Sequence, residues 1–163
     1  MTGWLPEPLK TERLTLRPTG PSDRDWVFHL FTDPEVRKYL GGAKSEAAAR
    51  DEVAQIKGEL WGHFAIVDRA TGVMIGSLSF AQKRGPWEIS YQLGKESWGQ
   101  GFAGEAIKAA LQWFFAATGE TEVSAVTQTA NLRSCRLLER LGASAAEQYD
   151  YRGAAVVRYV LSR

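Results

Sequence analysis

The stretch that decides the fold of this 163-residue chain is WGQGFAGE, which spans Trp98–Glu105. It follows the alternating segment EISYQL (residues 88–93), and apolar residues then recur at helical spacing from Ala106 to Phe114. We therefore expect a strand, a glycine-rich turn and a long helix. Unpaired N–H groups at the start of such a helix carry the positive end of its dipole, so the turn is suited to binding phosphate.

Two kinds of phosphate ligand compete for this turn. Gly99, Gly101 and Gly104 spell G-x-G-x-x-G, the dinucleotide pattern. That pattern normally follows the first strand of a sheet, and an acid ends the second strand. Here it comes late, and the strand after the helix ends at residues 126–129 (VTQT) without an acid, which disfavours a dinucleotide. The Walker pattern G-x-x-x-x-G-K-[ST] is absent, which excludes a P-loop NTPase. The alternative, that the glycines only permit a tight turn and close packing of the helix against the strand, stays open.

Composition and length exclude several classes of protein. We expect one domain over residues 1–163, and the formal net charge of +1 gives no indication of a nucleic-acid or membrane partner. The first residues lack the apolar segment of a secretory signal, and no apolar run approaches the roughly 20 residues of a spanning helix. Cys135 is the single cysteine, and no cluster has metal-ligand spacing. We expect a cytoplasmic protein without a metal.

The remaining patterns predict an α+β domain rather than an alternating parallel one. Antiparallel hairpins come first, then one β-α-β crossover around the glycine turn, then a final hairpin. The predicted strands are 13–18, 64–67, 73–80, 87–93, 123–127, 145–151 and 154–161. The predicted helices carry residues 26–31, a short turn near 34–39, and residues 45–57, 106–119 and 131–141.

Four segments in the right order carry a resemblance to a known family. They are TERLTLRP (residues 11–18), EISYQL (88–93), WGQGFAGEA (98–106) and NLRSCRLLERLG (131–142). With them the chain resembles the GCN5-related N-acetyltransferase (GNAT) superfamily, most closely its Rim-type branch of ribosomal-protein N-terminal acetyltransferases. The resemblance implies a single-domain GNAT-like fold. Its central sheet is mostly antiparallel with one parallel, splayed β-α-β crossover, and about four helices flank it.

The resemblance also implies a site for acetyl-CoA as co-substrate. The cofactor-binding residues it implies are Tyr91, Gln92 and Leu93 for the pantetheine arm, Gly99, Gln100, Gly101, Phe102, Ala103 and Gly104 for the pyrophosphate, and Asn131 for the arm. Asn131 is equally suited to capping its helix. We expect Gly101, with Ala103 beside it, to be indispensable, because larger side chains would block backbone approach to phosphate. Gly99 and Gly104 are expected to complete the pattern by coincidence. Trp98 and Gly104 depart from the residues usual at their positions.

Acyl transfer to an amine requires a deprotonated nitrogen, a polarised carbonyl and a proton for the leaving thiolate. An α-amine is about a tenth neutral at pH 7 and a lysine about a hundredfold less, so a modest base suffices for the former. We expect Glu88 to be this base, directly or through water, and Ser134 to be the acid. A backbone N–H near Leu93 would polarise the carbonyl. An exposed strand glutamate and a first-turn serine remain the alternatives. An acyl-Cys135 intermediate is disfavoured, because no histidine is near it in sequence.

The function predicted from these residues is an N-acetyltransferase that works by direct transfer in a ternary complex. Its acceptor is a small-molecule or peptide amine, which leaves protein N-termini, polyamine-like metabolites and antibiotic amines open. A homodimer is expected because homodimers are frequent in the family. The alternative from a different class is a catalytically silent domain that binds or senses acyl-CoA.

Overall fold

The predicted elements recur in the computed structural model, which describes residues 3–83 and 85–163. Its strands are β1 (Leu9–Lys10), β2 (Leu14–Pro18), β3 (His63–Asp68), β4 (Met74–Gln82), β5 (Trp87–Leu93), β6 (Glu122–Gln128), β7 (Ser144–Tyr151) and β8 (Ala154–Ser162). Its helices are α1 (Arg24–Thr32), α2 (Glu46–Ala54), α3 (Phe102–Thr118) and α4 (Leu132–Arg140). The strands form one sheet in the order β1-β2-β3-β4-β5-β6-β8-β7.

The sheet opens between β5 and β6, its parallel neighbours. These strands pair at one position, Glu88 opposite Ser124, whereas β6 pairs with β8 along its whole length. On the other side, β5 is held to β4 from Trp87 to Leu93. Strands β5 and β6 therefore diverge beyond Glu88 and leave a gap, here called the splay. The expectation of an α+β fold with one parallel, splayed β-α-β crossover is confirmed.

The hydrogen-bond alternation of β5 decides which backbone groups face the splay. The Gly94 N–H donates to the Ile75 carbonyl at 2.9 Å, on the β4 side. In an antiparallel ladder, alternate residues bond to one neighbour, so Glu88, Ser90 and Gln92 turn their backbone groups to β4. The backbone groups of Ile89, Tyr91 and Leu93 consequently point toward β6, and beyond Glu88 they face the splay.

The two sheet faces carry different helices. Helix α3 buries Ala106, Ile107, Ala110 and Phe114 at helical spacing, and the Phe114 ring stacks on Phe80 of β4 at 4.4 Å between centroids. Helix α4 joins the same core through its buried leucines. Helices α1 and α2 cover the opposite face through a smaller cluster, Val27, Val53, Ala65 and Met74. Each fully buried Val, Leu, Ile, Phe or Met side chain contributes about 1.5–3 kcal/mol to stability.

Two elements differ from the sequence prediction. Residues 34–39, predicted as a short turn of helix, form turns: the Arg37 N–H donates to the Asp33 carbonyl at 3.1 Å, but no helix continues from there, and Gly41 follows at φ +92°. The Asp33 carboxylate accepts from the Glu35 N–H at 2.8 Å and from the Val36 N–H at 3.3 Å, as a residue that caps a turn does. The short strand β1 was not predicted, because two residues paired to β2 are too few to show a period.

A partly buried ion pair connects β2 to the start of α1. The Arg17 guanidinium donates to both carboxylate oxygens of Asp23, at 2.8 and 2.9 Å. The Gly20 N–H donates a third hydrogen bond to this carboxylate at 2.9 Å. Asp23 is 5% exposed. Burial raises the pKa of this carboxyl, but the bonds from Arg17 and Gly20 outweigh burial and hold the pKa below its ordinary value. The pair therefore stabilises the ionised form in the folded state.

Replacement of Asp23 by asparagine should destabilise the protein by about 1–2 kcal/mol at pH 7, because the partly exposed Arg17 charge loses its partner and water screens part of that loss. A carboxyl with a depressed folded pKa stabilises the protein above its unfolded pKa of about 3.9, and this contribution is lost as pH falls through the folded value. Urea unfolding at pH 7 and below pH 4 should show the difference between wild type and variant shrinking in acid. The exposed Asp25→Asn is the matched control. An undiminished difference in acid would contradict this assignment.

Candidate functional site

The turn between β5 and α3 needs glycine at two positions. Gly99 and Gly101 have φ values of +73° and +80°, in the left-handed region that other residues rarely adopt. Gly101 is the N-cap of α3. Gly99 is therefore required by the turn itself, which corrects the expectation that it completes the pattern by coincidence. Gly104 has a packing role, since a Cβ there would lie 3.4 Å from the Leu137 side chain of α4.

The start of α3 offers N–H groups to a ligand. The first intrahelical bond there runs from the Glu105 N–H to the Gly101 carbonyl at 3.2 Å. The N–H groups of residues 102–104 precede it, so helix geometry gives them no carbonyl partner within α3. The glycine at the N-cap has no side chain to occupy them. This arrangement fits a phosphate group.

Arg13, which directly precedes β2, contacts this turn through its side chain. Its Nε donates to the Glu105 carboxylate at 2.8 Å, and its Nη1 donates to the Gln100 carbonyl at 2.8 Å. The same carboxylate accepts from the Arg13 backbone N–H at 2.9 Å and from the Thr11 hydroxyl at 2.5 Å. The guanidinium also lies 4.3 Å from the centroid of the Phe102 ring. Sequence reasoning placed Arg13 and Glu105 in matching segments but did not predict that they meet.

These contacts keep Glu105 ionised beside the turn. Partial burial raises its pKa, but the bonds from Thr11 and Arg13 outweigh burial, and the pKa lies below the ordinary value. A carboxylate in the first turn of α3 interacts favourably with the positive end of the helix dipole, but it repels a bound phosphate. The Arg13 charge compensates for this repulsion.

Trp98 connects the turn to β5 by a side-chain hydrogen bond. Its indole N–H donates to the Leu93 carbonyl at 3.0 Å, and the Arg133 guanidinium of α4 lies 4.4 Å from its ring centroid. The Leu93 carbonyl is thereby occupied, while its N–H remains directed at the splay. The departure from the usual family residue at Trp98 thus has a structural role.

The Tyr91–Ser134 pair bridges the splay on the face covered by α3 and α4. The two hydroxyl oxygens are 2.6 Å apart. Asn131 caps α4, because its side-chain oxygen accepts the Ser134 N–H at 3.3 Å. Burial raises the pKa of Tyr91 even though the bond to Ser134 lowers it, so the phenol keeps its proton at neutral pH. The sequence prediction used the Tyr91 backbone and the Ser134 side chain separately and missed their contact.

Glu88 lies on the opposite sheet face, where the splay begins. Its neighbour Ser124 accepts from Arg158 at 3.2 Å, and Arg158 pairs with Glu147 at 3.0 Å. Burial, followed by the charge of Glu88, raises the pKa of Tyr149 on β7, so these groups share one surface. A group inside the splay would therefore have Glu88 on one side and the Tyr91–Ser134 pair on the other.

Other predicted candidates lie away from the splay. The Gln92 amide donates to Ser77 at 3.3 Å, on the face covered by α1 and α2. Cys135 is buried, and its thiol faces the Gln128 carbonyl at 3.8 Å. Within the described part of the chain, no group of three or more His, Cys, Asp or Glu residues could hold a metal ion. No helix over residues 3–83 and 85–163 is long and apolar enough to span a membrane.

Comparisons with known proteins agree with this geometry. The family model of the acetyltransferase (GNAT) domain matches residues 13–144. The uncharacterized N-acetyltransferase p20 of Bacillus licheniformis is 35% identical over 144 residues, which cover 83% of this chain and 81% of that protein. A GNAT-family acetyltransferase from Bacillus anthracis superposes with a TM-score of 0.83 at 22% identity, covering 95% of this chain and 98% of that one. Spermidine N-acetyltransferase from Vibrio cholerae, solved with CoA and spermine, gives 0.78 at 18% identity, covering 93% and 96%.

Arg13→Gln should raise the dissociation constant of CoA about tenfold, equivalent to about 1.4 kcal/mol, because it leaves the Glu105 charge uncompensated beside the phosphate-binding turn. The double variant Arg13→Gln/Glu105→Gln should recover most of this loss, since it removes the repulsion. Isothermal titration with CoA measures both, and the exposed Arg50→Gln is the matched control. Equal losses in the single and double variants would show that charge compensation is not the cause.

Proposed function

The chain belongs to the GNAT acetyltransferase family and is an acetyl-CoA-dependent N-acetyltransferase, and we propose that it acetylates a primary amine by direct transfer inside the splay. The observation that carries this proposal is the placement of Glu88 and Ser134 on opposite faces of the diverging strands. A thioester lying between β5 and β6 meets a base from one face and a hydroxyl donor from the other.

The described residues fit acetyl-CoA along a continuous path. The N–H groups at the start of α3 receive the pyrophosphate, and the backbone groups of Tyr91 together with the Leu93 N–H receive the pantetheine arm as an additional strand would. The edge from Leu93 back to Ile89 spans about 13 Å at roughly 3.3 Å per residue. The arm thus leads from the turn toward Glu88, where the acetyl group meets the acceptor.

The proposed chemistry conserves every proton. Glu88, directly or through one water, takes a proton from the acceptor ammonium, and the neutral nitrogen attacks the thioester carbon. A backbone N–H of β5 that faces the splay on the Glu88 side of Leu93, that of Tyr91, stabilises the negative charge that develops on the carbonyl oxygen. The C–S bond then breaks, and the CoA sulfur receives a proton from the Ser134 hydroxyl. The second proton of the attacking nitrogen, released as the amide forms, returns to the Ser134 oxygen through water, and Glu88 gives the first proton to solvent.

Tyr91 acts through Ser134 as a positioning residue. When the phenol donates its hydrogen to the serine oxygen, the serine hydrogen is free to point at the sulfur. The raised pKa of Tyr91 keeps that hydrogen in place at neutral pH. We further propose the Rim-type branch, in which the acceptor is the α-amine of a protein or peptide. A small-molecule amine is the competing acceptor, because the Vibrio cholerae neighbour is a spermidine N-acetyltransferase.

Glu88→Gln should lower kcat at least about a hundredfold and leave the dissociation constant of CoA unchanged, because general-base catalysis contributes on the order of 10²–10⁴. The measurement is CoA thiol release from acetyl-CoA with a panel of amines and peptides. Glu122→Gln, an exposed glutamate at the start of β6, is the control and should retain full activity. An unchanged rate would remove Glu88 from the mechanism. Acetyl-CoA binding without transfer to any panel member would favour a silent sensor domain.

Tyr91→Phe and Ser134→Ala should each reduce kcat, and the double variant should be no slower than Ser134→Ala, because the two hydroxyls act as one unit. The reduction should appear in kcat more than in the KM for acetyl-CoA. Tyr151→Phe, at an exposed position on β7, is the control. Additive losses in the double variant would contradict a positioning role for Tyr91.

A further inference from the structure

Strand β7 lies at one end of the sheet, and no strand within residues 3–83 and 85–163 pairs with its outer edge. All eight residues of β7, Ser144–Tyr151, are exposed. The strand at the other end of the sheet, β1, has two residues. Proteins usually protect a long edge strand with lysine, proline or a covering segment. The sequence of β7, SAAEQYDY, contains neither lysine nor proline.

The hydrogen bonds of β8 decide which backbone groups of β7 point outward. The Ala155 carbonyl accepts the Thr129 N–H at 2.9 Å, so the backbone groups of Ala155 face β6 and not β7. Asp150, which opposes Ala155 on β7, therefore makes no ladder hydrogen bond to β8. By the same alternation, the N–H and C=O groups of Gln148 and Asp150 point to the outer edge, about 7 Å apart along the strand.

The regular part of this edge extends from Glu147 to Tyr151. The register of β7 against β8 shifts before Glu147, so the bulge at Ala146 protects only the start of the strand. Tyr149 and Tyr151, two residues apart, lie on the same sheet face and are 40% and 52% exposed. The regular edge therefore presents outward hydrogen-bonding groups together with two exposed aromatic rings.

This edge is complementary to itself across a two-fold axis at Tyr149. When two copies of β7 pair antiparallel about that axis, Gln148 of each copy opposes Asp150 of the other, and each outward N–H meets an outward C=O. Tyr149 then opposes Tyr149 of the second copy in a pair without ladder hydrogen bonds. The Cα atoms of such a pair are about 4.5 Å apart, so the two rings are in contact.

The charges of the edge are compatible with this pairing. Neither acid meets an acid, because Glu147 opposes Tyr151 and Asp150 opposes Gln148 of the second copy. Glu147 is also paired with Arg158 of its own copy at 3.0 Å. Like charges directly opposite each other would destabilise the ladder, and the register centred on Tyr149 places none there.

We propose that the edge of β7 binds a second copy of this chain, so that the two sheets join through antiparallel β7 strands centred on Tyr149. Such an isologous contact closes on itself and stops at two copies. Five paired residues on each copy are fewer than the roughly 20–30 residues a side of a standard interface. We therefore expect a weak dimer, with a dissociation constant on the order of 10 µM.

The test is sedimentation velocity of the full chain from about 1 to about 200 µM, over which wild type should convert from monomer to dimer. Tyr149→Lys and Tyr149→Glu each place like charges opposite each other at the axis, so each variant alone should remain monomeric. An equimolar mixture of the two should dimerise, because each lysine then faces a glutamate. Val73→Lys, at an exposed apolar position between β3 and β4, is the matched control and should dimerise like wild type.

Gln148→Pro tests the backbone hydrogen bonds of the same edge. Proline removes the outward N–H at this position and leaves the ladder between β7 and β8 intact, because the Gln148 N–H does not bond to β8. The variant should keep the wild-type affinity for CoA, which reports that it is folded, and should weaken the dimer at least about tenfold.

A wild-type chain that stays monomeric over the whole range would assign the edge to a different occupant and overturn the proposal. A dimer that the charged variants and Gln148→Pro leave unchanged would place the contact on another surface. A mixture of Tyr149→Lys and Tyr149→Glu that stays monomeric would overturn the register centred on Tyr149.

Discussion

The divergence of β5 and β6 after a single paired position is the constraint on which the rest of this structure depends. Strand β5 is held to β4 along its length and β6 to β8, so each half of the sheet is complete without the other. The backbone groups of Tyr91 and Leu93 consequently face a gap instead of a neighbouring strand. Unpaired strand edges are costly unless something covers them. An extended ligand arm that bonds like a strand meets this requirement.

The turn beside the splay resolves an electrostatic conflict. A carboxylate at Glu105 is favourable for the start of α3 but unfavourable for a bound phosphate. Arg13 reconciles the two, because the same guanidinium pairs with this carboxylate and holds the Gln100 carbonyl. The turn is thus shaped before any ligand arrives, and its free N–H groups stay directed outward. Such preorganisation reduces the ordering that binding would otherwise require.

The two sheet faces divide the proposed chemistry. Alternation along β5 places Tyr91 on the face of α3 and α4, and it places Glu88 and Gln92 on the face of α1 and α2. The proton donor for the sulfur and the base for the amine are therefore kept apart by the sheet itself. This separation suits direct transfer, since acetyl donor and acceptor approach the gap from opposite sides.

The sequence by itself determined the elements and the turn. The bounds of β5 are those predicted, and the helix after the turn ends at Thr118, directly before the predicted stop at Gly119. Period-2 patterns, helical patterns and glycine positions are local signals. The role of Gly99 was missed, since a backbone dihedral requirement cannot be read from a residue type alone. Only the tertiary structure joined Tyr91 to Ser134 and Arg13 to Glu105. These groups are brought together by strand order and register, which depend on long-range pairing that no local pattern encodes.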